Sequence, residues 1–430
     1  MLNVKYKKIV SIVLLISIVM MLLSCGKKEV IDYDINLHEV EESIMPTKEF
    51  SFDRPMDQGY QSKVVTKKDR DRLTNNEIID LIQKRTKQPT IVHGIYLPAY
   101  VVGNEKKFGP IFENICNSNI NAIIVDVKDE LGRITIDIDG EIIKDLKTKE
   151  VQIKDVDAFL QRCHDNNIYV VARVASFLDN FAPRQDKTMA VRKKDGAYYK
   201  DNSGYFWLNP FEKKVQDYIK EIGIACAKKG FDEVQYDYFR FSADRGMNKV
   251  VFPQVDEGKT KMDILTEIAE NHYQSYIKEN VYFSLDVFGA IINSYKDQYS
   301  IGQDYNSLVK YCDYICPMVY PSHYANKTFG IDVPDLEPYR SVYEAMQSSI
   351  KSIQSQYDKT AHYGQVRPWL QAFTANYIPE YMVYDPEQYK EQIKAVKDSG
   401  YEEWIFWQGG GVYKWGAFLK DGAIDATKVQ

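Results

Sequence analysis

From Pro89 onward, short apolar runs rich in β-branched and aromatic residues alternate with amphipathic stretches. Eight runs stand out, at 94–100, 122–128, 169–176, 233–241, 282–289, 313–321, 367–373 and 403–408. Near-continuous apolar runs of this length suit strands buried on both faces, as in parallel sheets. The segments between them carry helix punctuation. Asn209-Pro210-Phe-Glu212 supplies an N-cap, a proline at the first helical position and an acid in the first turn. Val215, Tyr218, Ile219, Ile222 and Cys226 then keep one face, and Gly230 stands where a left-handed closing residue is needed. Asp385-Pro386 opens another helix, with Tyr389, Ile393 and Val396 on one face and Gly400 closing it.

Strands alternating with helices read as βαβ units. Eight such units in about 335 residues predict an α/β fold, a (β/α)₈ barrel with insertions over 90–425. The competing architecture is a doubly wound open sheet. That fold would carry a glycine-rich phosphate turn after its first strand, and Tyr96-Leu-Pro-Ala-Tyr100 has none.

The N-terminal texture is different. Lys5, Lys7 and Lys8 precede a run, Ile9 to Leu23, that is apolar apart from two serines, and Ser24 then precedes Cys25. This predicts a secretory signal over 1–24, with Leu22-Leu23-Ser24-Cys25 as a lipobox and the diacylated thiol of Cys25 as a membrane anchor. Two acyl chains suffice for stable anchoring where one is marginal. The expected location is therefore the cell membrane, lipid-anchored and facing outside the cytoplasm. Residues 25–89 read as a polar spacer, with a short helix nucleated by Thr74-Asn-Asn-Glu77.

Loss of the three signal lysines takes the formal charge from −6 to −9. An acidic exported protein is a poor fit for nucleic acid or anionic lipid and points to neutral or basic partners. After Cys25 come Cys116, Cys163, Cys226, Cys312 and Cys316, an odd and scattered set that argues against a disulfide framework. Cys312 and Cys316 on one strand would lie roughly 13 Å apart, beyond bridging distance. Buried, reduced thiols are expected. No spacing of cysteine or histidine resembles a zinc site, and neither a metal nor an organic cofactor is expected.

Active sites of (β/α)₈ barrels lie at the C-terminal ends of the strands. A charge there is costly without a purpose. The fourth run places Asp237 near its end with Gln235 on the same face, and the fifth gives Asp286 the corresponding place with Ser284 beneath. Adjacent strands are about 4.8 Å apart, so the two carboxyl groups are expected roughly 5–6 Å from each other. That separation suits a retaining glycosidase, with Asp237 attacking and Asp286 protonating the leaving group. Arg173 and Arg240 would keep Asp237 ionised. Asp126 and Lys128 share a face of the second run and are expected to form a buried pair bordering the site. Glu233, at the start of its strand, belongs to the stability end.

Tyr96, Tyr100, Trp207, Tyr236, Tyr238, Tyr320, Tyr324, Trp369, Trp404 and Trp407 gather near strand ends and loops. Aromatic rings stack on the C–H faces of sugars, while Gln371, Gln408 and His323 can bond their hydroxyls. Trp407, Tyr320 and Trp207 are the best-placed rings for ligand contact. The same rings also fill barrel cores.

Several of these stretches resemble a bacterial glycosyl hydrolase domain family, itself similar to barrels of the α-amylase kind. They are Trp207-Leu-Asn-Pro210, Gly230 to Phe241, Pro317 to Tyr324, Arg367-Pro-Trp-Leu-Gln371 and Trp404-Ile-Phe-Trp407, in the same order. The resemblance spans about Val92 to Tyr413. It implies a barrel, hydrolysis of a polysaccharide or oligosaccharide, and a nucleophilic aspartate at the end of the fourth strand, which falls on Asp237. The acid/base of amylase-like barrels is a glutamate on the fifth strand. Here that position is Asp286, one methylene shorter. Two other roles stay open: a non-catalytic glycan-binding surface lipoprotein on the same barrel, and an envelope structural protein whose cleft is filled by side chains.

Overall fold

The computed structural model describes residues 75–87, 89–252, 258–359 and 361–428. Cys25, the signal and most of the spacer lie outside the described residues. Eleven strands follow in chain order: β1 (His93–Leu97), β2 (Ala122–Lys128), β3 (Ile134–Ile136), β4 (Lys149–Ile153), β5 (Tyr169–Ala175), β6 (Glu233–Asp237), β7 (Tyr282–Phe288), β8 (Tyr314–Met318), β9 (Gln365–Val366), β10 (Trp369–Gln371) and β11 (Trp404–Trp407). Eight of them, β1, β2, β5, β6, β7, β8, β10 and β11, pair in parallel in that order. Gly94 of β1 is in register with Ala122 on one side and Ile405 on the other, which closes the ring. The protein is a (β/α)₈ barrel. The open-sheet alternative fails because no barrel strand is left with an unpaired edge.

Each of the eight apolar runs overlaps a barrel strand, and β2, β5 and β7 are buried at every residue. Most runs extend past their strands, and in two of them the reason is identifiable. The 233–241 run leaves the sheet at Asp237 because Tyr238 takes φ +48°, outside β space. The 367–373 run yields only β10, since Pro368 has no N–H for the ladder and separates it from β9. β3 and β4 form an excursion after β2 that the runs did not reveal. β3 has three residues, and β4 is exposed over its first half, so neither carries a buried-strand signature.

The outer helices include α1 (Asn75–Gln83), α2 (Glu105–Cys116), α3 (Val156–Asp165), α4 (Lys213–Lys229), α5 (Lys261–Lys278), α6 (Pro338–Ser355) and α7 (Pro386–Asp398). α7 starts as expected, with Asp385 in a reciprocal cap and Pro386 first. α4 starts at Lys213, later than Asn209 suggested, because the Asn209 carboxamide caps a turn by accepting from the Phe211 N–H at 3.1 Å. Gly230 closes α4 at φ +100°. α1 is present, and the residues after it dock on the barrel rather than trailing as spacer. Arg85 pairs with Asp313 at 2.6 Å, and Lys87 donates to the Phe231 carbonyl at 3.1 Å.

The same end of the barrel is plugged by charge. Glu233 accepts both Arg367 bonds, at 2.9 Å each, and Arg367 also donates to Glu403 at 2.6 Å. The Tyr169 hydroxyl adds a bond to Glu233 at 3.1 Å. Placing Glu233 at the stability end agrees with this network. The five cysteines after Cys25 are free, and four are buried; Cys116 is exposed, against expectation. Among the described residues, no helix is long and apolar enough to cross a membrane.

Candidate active site

At the opposite end, where the strands finish, Arg173 of β5 is the hub. Its side chain is completely buried. Nη1 meets Asp126 of β2 at 2.5 Å, and Nη2 meets Glu130 at 2.7 Å and Asp237 of β6 at 2.5 Å. Its faces carry rings: the guanidinium carbon lies 4.9 Å from the Trp407 ring centre and 5.3 Å from that of Tyr96. Burial works against this charge, but Glu130, Asp237 and Asp126 outweigh it and raise the pKa of Arg173 further. Arg173 is a permanent cation.

The carboxylates around it differ in environment. Asp237 accepts from Arg173 Nε and Nη2 through Oδ2, while Oδ1 accepts the Tyr238 N–H at 2.6 Å. The left-handed backbone of Tyr238 accompanies that N–H contact, a strained conformation of the kind that persists at functional sites. Asp126 is pushed up to about 7, by burial first and by Glu130, although Arg173 pulls it down. The Tyr96 hydroxyl donates to it at 2.5 Å.

Asp286 belongs to β7. The β6–β7 register runs to Tyr236 opposite Leu285, so Asp237 and Asp286 stand one step further on, on adjacent strands. Asp286 accepts from the Trp369 indole N–H at 2.6 Å through Oδ1, and its buried Oδ2 has no partner among the described residues. Burial, then the charge of Asp237, raises its pKa well above the usual carboxylate range. One carboxyl is thus held by a cation and a backbone N–H, and its neighbour is biased toward keeping a proton. Pairs of acids whose environments differ in this way are how one site carries both a base and an acid.

Residues 94–413 match the family described as "Putative glycosyl hydrolase domain". The chain belongs to this family. No match was found among curated proteins. Among solved structures, a hypothetical protein from Ruminiclostridium thermocellum ATCC 27405 is 30% identical over 45% of this chain and 97% of its own, with a TM-score of 0.40. The PgaB (BpsB) glycoside hydrolase domain from Bordetella bronchiseptica is 13% identical over 75% of this chain and 95% of its own, with a TM-score of 0.53, a likeness of fold. The glycoside hydrolase domain of PelA from Pseudomonas aeruginosa is 7% identical over 76% and 97%, with a TM-score of 0.42.

In this glycosyl hydrolase domain the aromatic candidates separate. Trp407 is half-buried, stacks on Tyr96 at 4.1 Å between ring centres and meets Trp369 edge-on at 5.7 Å. It borders both Arg173 and the residue that holds Asp286. Trp207 is buried and donates its indole N–H to Asp201 at 2.9 Å. Tyr320 is also buried, packed edge-on against His323 and Phe373. His323 is half-buried, lies 3.3 Å from the Tyr377 hydroxyl, and is pushed down to about 4 by desolvation, hence neutral near pH 7. Tyr236 points away from the strand-end site, with its hydroxyl 2.9 Å from His272 Nδ1. Trp404 is core, stacked on His93.

Four expectations about polar residues near the site need correction. Lys128 does not pair with Asp126. The β2–β5 register shifts between them, and Lys128 is sealed against Asp179 at 3.0 Å, with bonds to the Ala175 and Leu178 carbonyls. Arg240 does not hold Asp237; its bond goes to the Phe241 carbonyl at 3.1 Å. Gln371 is fully buried and committed to Ser322, Asp335 and Phe373. Gln408 caps its own loop, accepting from Gly410 and Val412.

The reverse omission is Glu130, two residues past β2 and bonded to Arg173. Its signal was available, an acid just beyond a strand that already ends in Asp126. In the sequence Tyr96 and Trp369 read only as aromatics. Their polar edges prove to hold Asp126 and Asp286. Among the described residues, no group of three or more histidine, cysteine or acidic side chains has the arrangement of a metal site.

Proposed function

We propose that this chain is a retaining glycoside hydrolase acting on an extracellular or cell-envelope polysaccharide. The observation that carries this reading is the asymmetric pair of acids on adjacent strand ends. Asp237, fed by Arg173 and the Tyr238 N–H, is the nucleophile toward the anomeric carbon. Asp286, biased toward its protonated form, delivers a proton to the departing oxygen and recovers it from the water that later attacks the glycosyl-enzyme. Trp407 offers the apolar face on which a sugar ring rests. The same reading includes the lipid on Cys25, which would hold the barrel at the outer face of the cytoplasmic membrane.

The deciding experiment is a glycan screen with the wild type and Asp237→Asn, with proton NMR following the anomer first released. Hydrolysis with retention that disappears in the variant supports the proposal. Hydrolysis undiminished by Asp237→Asn would sink it. The second reading, a glycan-binding lipoprotein without turnover, is favoured by the depth of Asp286, which is 1% exposed. It predicts binding in calorimetry with no product from any glycan.

A further inference from the structure

Among the described residues, the other arginines with buried side chains are spent on carboxylates. Arg173 meets three, Arg367 meets two and Arg85 meets one. Arg240 differs. It follows β6 by three residues and is 6% exposed, yet among the described residues its guanidinium enters no ion pair. Nη1 bonds the Phe241 carbonyl. The guanidinium carbon lies 4.4 Å from the ring centre of Phe288, at the end of β7, 5.0 Å from Trp207 and 5.3 Å from Tyr238. Asp201, which also touches this wall, is bonded to the Trp207 indole N–H.

Removing a guanidinium from water without an opposite charge is expensive. The rings offset part of that cost through their negative faces. They also shield the plane of the group, so its remaining N–H donors lie in the plane and at its edge. A planar carboxylate meets such an edge through two parallel bonds. The location supplies the rest: Tyr238 links this cradle directly to Asp237, and Phe288 belongs to the strand that carries Asp286.

We propose that Arg240, walled by Trp207 and Phe288, receives the carboxylate of an acidic sugar residue bound beside Asp237. This rests on the hydrolase reading and narrows its substrate to glycans that carry carboxylated residues. It also revises the expectation, drawn from the formal charge of −9 left once the signal lysines are lost, that partners are neutral or basic. A single local cation, not the overall charge, governs one sugar position.

The test compares acidic oligosaccharides with their carboxyl-reduced counterparts, for wild type, Arg240→Gln and Arg240→Lys, by both turnover and calorimetry. The wild type is expected to favour the acidic member by about tenfold or more, the range of a charge-assisted bond. Arg240→Gln should bring that ratio close to one, and Arg240→Lys, which keeps charge without the fork, should fall between. Equal treatment of both glycans by the wild type, or a ratio unchanged in both variants, overturns the proposal and leaves the hydrolase reading standing. Binding of the acidic member that depends on Arg240, with no cleavage, upholds this proposal and sinks hydrolysis. Failure to bind any acidic glycan overturns the proposal as well.

Discussion

Arg173 directs two N–H groups, from Nε and Nη2, to a single oxygen of Asp237, at 3.1 and 2.5 Å. Among the described residues the other oxygen has only the Tyr238 N–H as a partner, so Oδ1 retains a lone pair for chemistry. Asp237→Asn is therefore expected to fold normally and to lose about 10³-fold or more in kcat on any glycan that proves to be a substrate. Circular dichroism with steady-state kinetics checks both halves.

Arg173→Met strands three acids around an uncharged side chain. Breaking a buried ion pair by removing one partner costs about 3–5 kcal/mol. Urea denaturation should show a loss of that order, and an unchanged midpoint would contradict the hub role.

Asp126 ties stability to pH. The folded protein holds its proton up to about pH 7, whereas the unfolded chain releases it near the ordinary value of 3.8. Stability from this group is thus complete below about pH 4, declines as pH rises and is lost by about pH 7. Denaturation curves between these limits should fall less steeply for Asp126→Asn than for wild type. Parallel slopes would count against the raised carboxyl.

Asp286 should govern the alkaline side of catalysis. Its raised pKa keeps the proton available at neutral pH, and activity should fall as pH climbs through that pKa. In Asp286→Asn, natural glycosides should suffer far more than aryl glycosides whose leaving groups need no proton. Equal losses on both would remove Asp286 as the acid.

The far end of the barrel offers a control. Arg367→Met leaves Glu233 and Glu403 facing each other without a cation and should destabilise the fold by about 3–5 kcal/mol. KM measured well below the melting point should not change, since the network lies at the opposite ends of the strands. A shifted KM would tie this network to the site.

Much of the fold was legible because its signals are local. Eight buried runs, helix openings such as Asp385-Pro386 and the Gly230 close depend on neighbouring residues only. The period of two along a strand then brought Asp237 and Asp286 to matching levels without any knowledge of the packing. Lys128 shows where this reasoning ends. Alternation set it beside Asp126, but one register shift between β2 and β5 turned it toward Asp179.

The sequence by itself determined the barrel, the end of it that carries paired acids, and Glu233 as part of the opposite end. Burial period and chain order decide those features. Tertiary structure alone decided the partners: Arg173 for Asp126, Glu130 and Asp237, Trp369 for Asp286, and aromatic rings rather than a carboxylate for Arg240. Charge pairing depends on a few ångströms between residues tens to hundreds of positions apart. Register shifts, loop excursions and the stagger of the closed sheet set those distances, and no local pattern encodes them.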